Sequence, residues 1–113
     1  ATLTISGSGT VDNVTHQRAA IHNEVGGTVT LNGGTYTRSK ETGSDSGNSG
    51  GNSFYNIRNY GTMTINEGVK VVQNGHFSSL VENGFYNGAK DNPTGATATM
   101  TVSYTHLRAH YDD

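Results

Sequence analysis

One four-residue pattern, Thr–apolar–Thr–apolar, occurs four times in this chain. The copies are Thr2–Ile5 (TLTI), Thr28–Leu31 (TVTL), Thr62–Ile65 (TMTI) and Thr99–Val102 (TMTV). A period of two is typical of a β-strand, in which successive side chains lie on opposite faces. Each copy therefore predicts a short strand with its apolar residues on one face and both threonines on the other. Recurrence of one strand along the chain indicates a repeat architecture.

The repeating unit is longer than this strand. Residues 27–34 (GTVTLNGG) align with residues 61–68 (GTMTINEG). A second motif, which ends in asparagine, occurs at residues 20–23, 56–59 and 80–83. The unit thus consists of a strand that ends in asparagine, a glycine turn, the threonine-rich strand, an Asn/Gly corner and a third strand.

The spacing of the repeats favours a three-sided coil. The successive intervals are 26 residues from Ile5 to Leu31, 34 from Leu31 to Ile65 and 37 from Ile65 to Val102. The two longer intervals include Gly-rich stretches at 39–53 and 84–95, and insertions at a corner leave a coil intact. The third strands are predicted at 35–37 and 69–71. The predicted fold is all-β, a right-handed parallel β-helix of about four coils with loop insertions.

The composition suits such a coil better than a compact core. Gly, Thr, Asn and Ser supply 54 of the 113 residues, whereas Leu, Ile, Val and Phe supply only 20. A stacked coil needs few apolar residues per side because its backbone pairs with the coils above and below. The recurring Asn23, Asn59 and Asn83 predict a stacked ladder at one corner. A twisted antiparallel sandwich, the alternative fold, does not explain the phased repeat.

Charge and cysteine content exclude several classes of protein. The net charge is −2 and the chain has no cysteine. A disulfide scaffold, a zinc–thiolate site and a basic nucleic-acid module are therefore excluded. No apolar run approaches the roughly 20 residues of a membrane-spanning helix. We expect no cofactor, no nucleic-acid partner and no membrane span.

Residues 1–101 resemble the β-helical repeat regions of large surface proteins of gut Gram-positive bacteria, which are pectate-lyase-like solenoids. Those repeats read approximately G-T-Φ-T-Φ-N-G-G-T-Φ, and residues 27–36 (GTVTLNGGTY) match almost throughout. Residues 56–66 and 78–83 resemble adjacent coils of the same family. The resemblance implies a right-handed parallel β-helix in a secreted or wall-anchored, adhesin-like protein. It implies no catalytic residue.

The composition changes abruptly after residue 102. Residues 103–113 (SYTHLRAHYDD) lack the Gly/Asn/Thr pattern, and SYTHLRAH resembles translated sequencing-adapter read-through. We therefore expect a β-helix over 1–102, a non-native tail over 103–113, and a metagenomic fragment of a longer protein. His106 and His110 have the spacing of metal ligands on one helix face, but no glutamate follows His106. No metal site is predicted there.

The threonine pairs form the sharpest functional pattern. Stacked coils would align them in two outward rows, similar to the T-x-T arrays of ice-binding β-helices. Threonine is also simply a favourable polar residue for an exposed strand. Interspersed loops and neighbours such as Tyr36 and Arg58 argue against one continuous face. The candidate ice-face threonines are Thr28, Thr30, Thr62 and Thr64.

Aromatic residues beside Asn and Gly form a second pattern. Such rings can stack on sugars, or can equally pack loops onto the coil. The candidate glycan contacts are Tyr36, Tyr55, Tyr60 and Tyr86.

Enzymatic activity is the third alternative, since polysaccharide-active enzymes on this fold use clustered acidic residues. Asp12 and Glu24 are the only candidate neighbours, and no acidic pair repeats in phase. We therefore predict a non-enzymatic, structural and adhesive solenoid displayed outside a bacterial cell or on its surface. Its expected partners are host or cell-wall glycans or proteins, reached through side loops. We also expect the coils to stack end to end through their exposed edges.

Overall fold

The computed structural model describes residues 1–14, 18–38, 55–73, 79–85, 87–103 and 106–108. These ranges hold eleven short strands. They are β1 (Thr2–Ile5), β2 (Thr10–Asn13), β3 (Ala19–Asn23), β4 (Thr28–Leu31), β5 (Thr35–Arg38), β6 (Tyr55–Asn59), β7 (Thr62–Ile65), β8 (Lys70–Gln73), β9 (Ser79–Asn83), β10 (Thr99–Val102) and β11 (His106–Arg108).

The strands form three parallel sheets that the chain visits in a fixed cyclic order. Sheet A has the order β1-β4-β7-β10, sheet B the order β2-β5-β8-β11, and sheet C the order β3-β6-β9. Each passage through A, B and C makes one coil, so the described residues make three coils and two strands of a fourth. The predicted all-β parallel β-helix is confirmed.

The register of sheet A is the one that the repeat predicts. Ile5 pairs with Leu31, Leu31 with Ile65, and Ile65 with Val102. Insertions of different length between the coils therefore leave the alignment of the strands unchanged, as expected for a solenoid.

The core consists of inward-facing apolar side chains stacked from coil to coil. Sheet A contributes two of these stacks, and the stacked Leu31 and Ile65 are both fully buried. Tyr36 and Val71 of sheet B and Ile57 of sheet C close the other two sides. Each side of a coil needs only one or two apolar residues, which explains how so polar a sequence folds.

A ladder of asparagines stabilises the corner between sheets C and A. Asn23 Nδ2 donates to Asn59 Oδ1, and Asn59 Nδ2 donates to Asn83 Oδ1, both at 2.8 Å. Asn59 also donates to the carbonyl of Gly61 at 3.1 Å and accepts from the Gly61 N–H at 3.2 Å. The predicted ladder thus satisfies shielded backbone carbonyls at the turns that follow β3 and β6.

Glycine at position 61 permits the close approach of two coils. A Cβ at Gly61 would lie 2.4 Å from the carbonyl oxygen of Gly27 and 2.6 Å from that of Glu24. Both are backbone atoms that cannot rotate away, so only glycine fits this corner.

The sheet continues beyond residue 102, where the composition predicts the end of the β-helix. In β11, His106 pairs with Lys70 and Arg108 with Val72, in the register of sheet B. Parallel pairing uses backbone groups, which every residue except proline supplies, so a change in composition does not by itself end a sheet. The stretch over 84–95 also contains a 3-10 turn, Gly88–Lys90. The described part of the chain holds no apolar helix long enough to cross a membrane.

Candidate binding surfaces

The outward threonines of sheet A form two rows, which we call the threonine face. Parallel pairing puts each threonine directly beside the equivalent threonine of the next coil. Neighbouring strands lie about 4.7–4.9 Å apart, and residues two apart along one strand about 6.6 Å apart. The hydroxyl groups therefore form a regular two-dimensional array. One row is Thr2, Thr28, Thr62 and Thr99, and the other is Thr4, Thr30, Thr64 and Thr101.

Within β1, β4, β7 and β10 no charged or aromatic side chain interrupts this face, because these four strands contain only threonine and apolar residues. The expectation that Tyr36 and Arg58 break its continuity is wrong. Tyr36 lies on β5 in sheet B and Arg58 on β6 in sheet C. Tyr36 and Arg58 thus lie on different sides of the coil from the threonines of sheet A. A repeat alignment alone does not determine this.

Two of the four candidate tyrosines are buried and cannot contact a glycan. Tyr36 has no exposed surface, and its hydroxyl donates to the carbonyl of Gly33 at 3.0 Å. Burial raises the pKa of Tyr36 above the ordinary tyrosine value. Tyr55 is only 4 % exposed and lies 4.2 Å beneath the guanidinium of Arg58. The alternation Thr35–Tyr36–Thr37 is the signal for burial at position 36, since it matches the Thr–apolar–Thr pattern of sheet A.

Tyr60 is partly buried and is surrounded by other side chains. Its ring stacks on Phe85 with centroids 4.4 Å apart, and contacts the ring of His22 edge-on at 4.9 Å. The Arg58 guanidinium lies 5.1 Å from the Tyr60 centroid. Burial raises the pKa of Tyr60, and the positive charge of Arg58 opposes that rise. Little of this ring is left for a sugar to stack on, and Tyr86 lies outside the described residues.

The outer surface of sheet C carries a row of polar side chains that sequence reasoning missed. Parallel pairing aligns His22 with Arg58, and Arg58 with Glu82. Arg58 Nε donates to Glu82 Oε1 at 2.9 Å, and Arg58 Nη2 donates to the Tyr60 hydroxyl. This ion pair is largely shielded, with 14 % and 19 % of the two side chains exposed. The sequence signal for this row is that His22, Arg58 and Glu82 each occupy the third position of the motif at 20–23, 56–59 and 80–83.

A cavity of about 310 Å³ opens on this surface, and we call it the sheet C pocket. His22 Nε2 and Glu24 Oε1 are 3.1 Å apart at its rim. The pocket thus combines cationic donors with one carboxylate acceptor. Its lining residues are Arg18, Ala19, His22, Glu24 and Arg58.

The acidic residues considered for enzymatic activity have separate partners. Asp12 accepts a hydrogen bond from the Thr37 hydroxyl at 2.6 Å within sheet B, whereas Glu24 contacts His22 after sheet C. Among the described residues, no group of three or more His, Cys, Asp or Glu side chains is placed to hold a metal ion. His106 lies on strand β11 rather than on a helix, and His110 lies outside the described residues.

Comparison with protein-family models, with curated proteins and with solved structures finds no match to this chain. Its assignment as a parallel β-helix rests on its own strand order and register.

Proposed function

We propose that this chain is a structural and adhesive solenoid, a stiff scaffold that presents contact surfaces outside a bacterial cell or on its surface. The observation that carries the proposal is the register of the three sheets. All eight strand pairings are parallel, and like positions of successive coils face one another in each. A fold in which every coil repeats the last is suited to length and regular display.

Cross-coil contacts support a stiff scaffold. The asparagine ladder joins the buried Asn23 and Asn59 to Asn83, and a second pair joins Asn32 and Asn66 at 2.8 Å. The apolar stacks of the core add contacts between the same coils. Because each contact links one coil to the next, bending the rod requires that several of them break together.

Trypsin tests the scaffold. Arg58 and Lys70 lie within strands that are paired on both sides. We expect the native chain to resist cleavage after these residues for hours under conditions in which the urea-unfolded chain is cut within minutes. Rapid cleavage of the native chain at either residue would overturn the proposed scaffold.

The proposed partners are host or cell-wall glycans or surface proteins, and contact between coil edges of two copies would extend the rod. The adhesive function is tested with an array of acidic glycans, neutral glycans and surface proteins, probed with the labelled chain. Binding that heat denaturation abolishes is expected. Absence of binding to the whole array would overturn the adhesive function and leave the scaffold to be judged by proteolysis.

A second candidate function, binding to ice, is favoured by the threonine face alone. An array of hydroxyl and methyl groups at fixed spacing in two directions can order water in a matching pattern. The double variant Thr30→Tyr/Thr64→Tyr breaks the inner part of one row, and Thr10→Tyr on β2 is the matched control. Thermal hysteresis lost in the first variant and retained in the control would support ice binding. Absence of thermal hysteresis in the unmodified chain would exclude ice binding.

A further inference from the structure

Arg18 lines the sheet C pocket, and its guanidinium takes no part in the described hydrogen bonds and ion pairs of the fold. The backbone carbonyl of Arg18 accepts from Asn13 Nδ2 at 2.8 Å and from the Tyr55 N–H at 3.2 Å. Its guanidinium makes no hydrogen bond or ion pair within the described part of the chain. Arg18 is therefore anchored by its main chain, and it lines the cavity with a guanidinium that no described residue engages.

Arg58 supplies a second, oriented guanidinium to the same pocket. Its Nε and Nη2 donate to Glu82 and to the Tyr60 hydroxyl, and its plane lies over the ring of Tyr55. These contacts fix the side chain, so a ligand that met its remaining donors would not have to order it. A planar guanidinium matches a carboxylate in two-point hydrogen bonding.

The rim of the pocket offers an acceptor of the opposite charge. Glu24 is bonded to His22 through Oε1, and 80 % of its side chain is exposed. Its second oxygen has no hydrogen-bond partner among the described residues, which leaves it able to accept from a ligand hydroxyl. A small inorganic anion would gain nothing from this carboxylate and would be repelled by it. A ligand with one carboxylate and several hydroxyls would use both kinds of group.

Neutral sugars fit the pocket less well. They commonly gain affinity by stacking on an open aromatic ring. Of the two tyrosine rings beside Arg58, Tyr55 is only 4 % exposed, and Tyr60 is stacked on Phe85 and contacted edge-on by His22. The volume of about 310 Å³ is at the lower end of the range for small-molecule sites, which suits one sugar unit of a longer chain.

We infer that the sheet C pocket binds a uronic-acid unit of an acidic glycan, with its carboxylate on Arg18 and Arg58 and its hydroxyls on Glu24 and His22. This inference rests on the adhesive part of the proposed function and names the class of ligand.

Calorimetry at low ionic strength tests it with two matched probes, a glucuronic-acid-containing oligosaccharide and the same oligosaccharide with its carboxylates reduced to alcohols. The unmodified chain is expected to bind the acidic form at least about tenfold more tightly, the factor that one charge-assisted hydrogen bond supplies. Arg18→Gln should lose about that factor, whereas Arg18→Lys, which keeps the charge but not the fork, should lose less. Lys90→Gln removes the same charge from an exposed turn and should bind as the unmodified chain does.

The outcomes separate the site from the wider function. Equal affinity for the two probes, or full affinity in Arg18→Gln, would overturn the pocket as the site while glycan binding on the array left the adhesive function standing. Binding of no glycan of either kind would overturn both. Because Arg18 is exposed, its variants are expected to unfold at the same urea concentration as the unmodified chain, which checks that lost binding is not lost folding.

Discussion

Asn59 Nδ2 lies 2.8 Å from Asn83 Oδ1, one coil further along the β-helix. The same amide group accepts from Asn23 at 2.8 Å, so one fully buried side chain links three successive coils. Its Nδ2 is also 3.0 Å from the carbonyl oxygen of Thr99. A buried amide with this many partners is expected to be a main source of cohesion, since each group left unsatisfied in the interior costs free energy.

Replacement of Asn59 by alanine should therefore destabilise the fold strongly. Removal of the amide leaves donors and acceptors of Asn23, Gly61 and Asn83 without partners. We therefore expect a loss of about 3 kcal/mol in the free energy of unfolding. Urea denaturation followed by circular dichroism measures it. Asn32→Ala is the matched control, because the Asn32–Asn66 bond has the same 2.8 Å length but is exposed. Similar losses in the two variants would show that burial of the ladder is not the reason.

The close approach of two coils at Gly61 gives a second prediction. A methyl group there would meet the backbone oxygens of Gly27 and Glu24, so Gly61→Ala should cost about 3 kcal/mol through overpacking. Gly9→Ala is the control, because a Cβ there meets nothing within 4 Å. That substitution should be neutral or slightly stabilising, since it restricts the unfolded chain. A thermal melting series should show a large loss for Gly61→Ala and none for Gly9→Ala, and equal melting temperatures would contradict the packing at this corner.

Much of this fold follows from the sequence because the same strand and corner motifs recur along the chain. The Thr–apolar alternation defines the sheet A strands, and the pairing of Ile5, Leu31 and Ile65 follows from alignment of the copies. The recurring asparagines predict the ladder for the same reason. A residue type that recurs at one position of every coil can be assigned to a stack from the alignment of the repeats alone.

The candidate site is harder to predict, because it depends on side chains that do not repeat. His22, Arg58 and Glu82 occupy equivalent positions but differ in charge, and their contact becomes evident only when the strands are paired. Aromatic character makes Tyr36 and Tyr55 candidate glycan contacts, whereas their burial depends on which face of its strand each ring occupies.

The Arg58–Glu82 ion pair and the His22–Glu24 contact should differ in their contribution to stability. The Arg58–Glu82 pair is mostly shielded from solvent, so Glu82→Gln leaves a partly buried guanidinium without its counter-charge and should cost about 2 kcal/mol. Glu24→Gln removes the acidic partner of His22 at an exposed position and should change stability by less than about 0.5 kcal/mol. Urea midpoints at low and high salt measure both. A larger loss for Glu24→Gln would contradict the burial seen here.

Tyr36 predicts a loss of stability at alkaline pH. Its buried hydroxyl, bonded to Gly33, has a pKa above that of the unfolded chain, where tyrosine titrates near about 10. Below that pH the phenol is protonated in both states, and its contribution to stability is complete. As the pH rises further, the unfolded state releases a proton that the folded state retains, so the free energy of unfolding falls until the folded pKa is reached.

Tyr36→Phe removes this titration together with the hydrogen bond to Gly33. The variant should be about 1 kcal/mol less stable at neutral pH, because the carbonyl of Gly33 loses its donor. It should also lose less stability than the unmodified chain between about pH 9 and about pH 11. Tyr60→Phe is a second test: burial raises the Tyr60 pKa, Arg58 opposes that rise, and the carboxylates of Glu82, Asp91 and Glu24 add to it, so this variant should also lose less stability at alkaline pH. Urea titrations at a series of pH values measure these slopes, and parallel curves for Tyr36→Phe and the unmodified chain would show that the phenol does not control the alkaline limit.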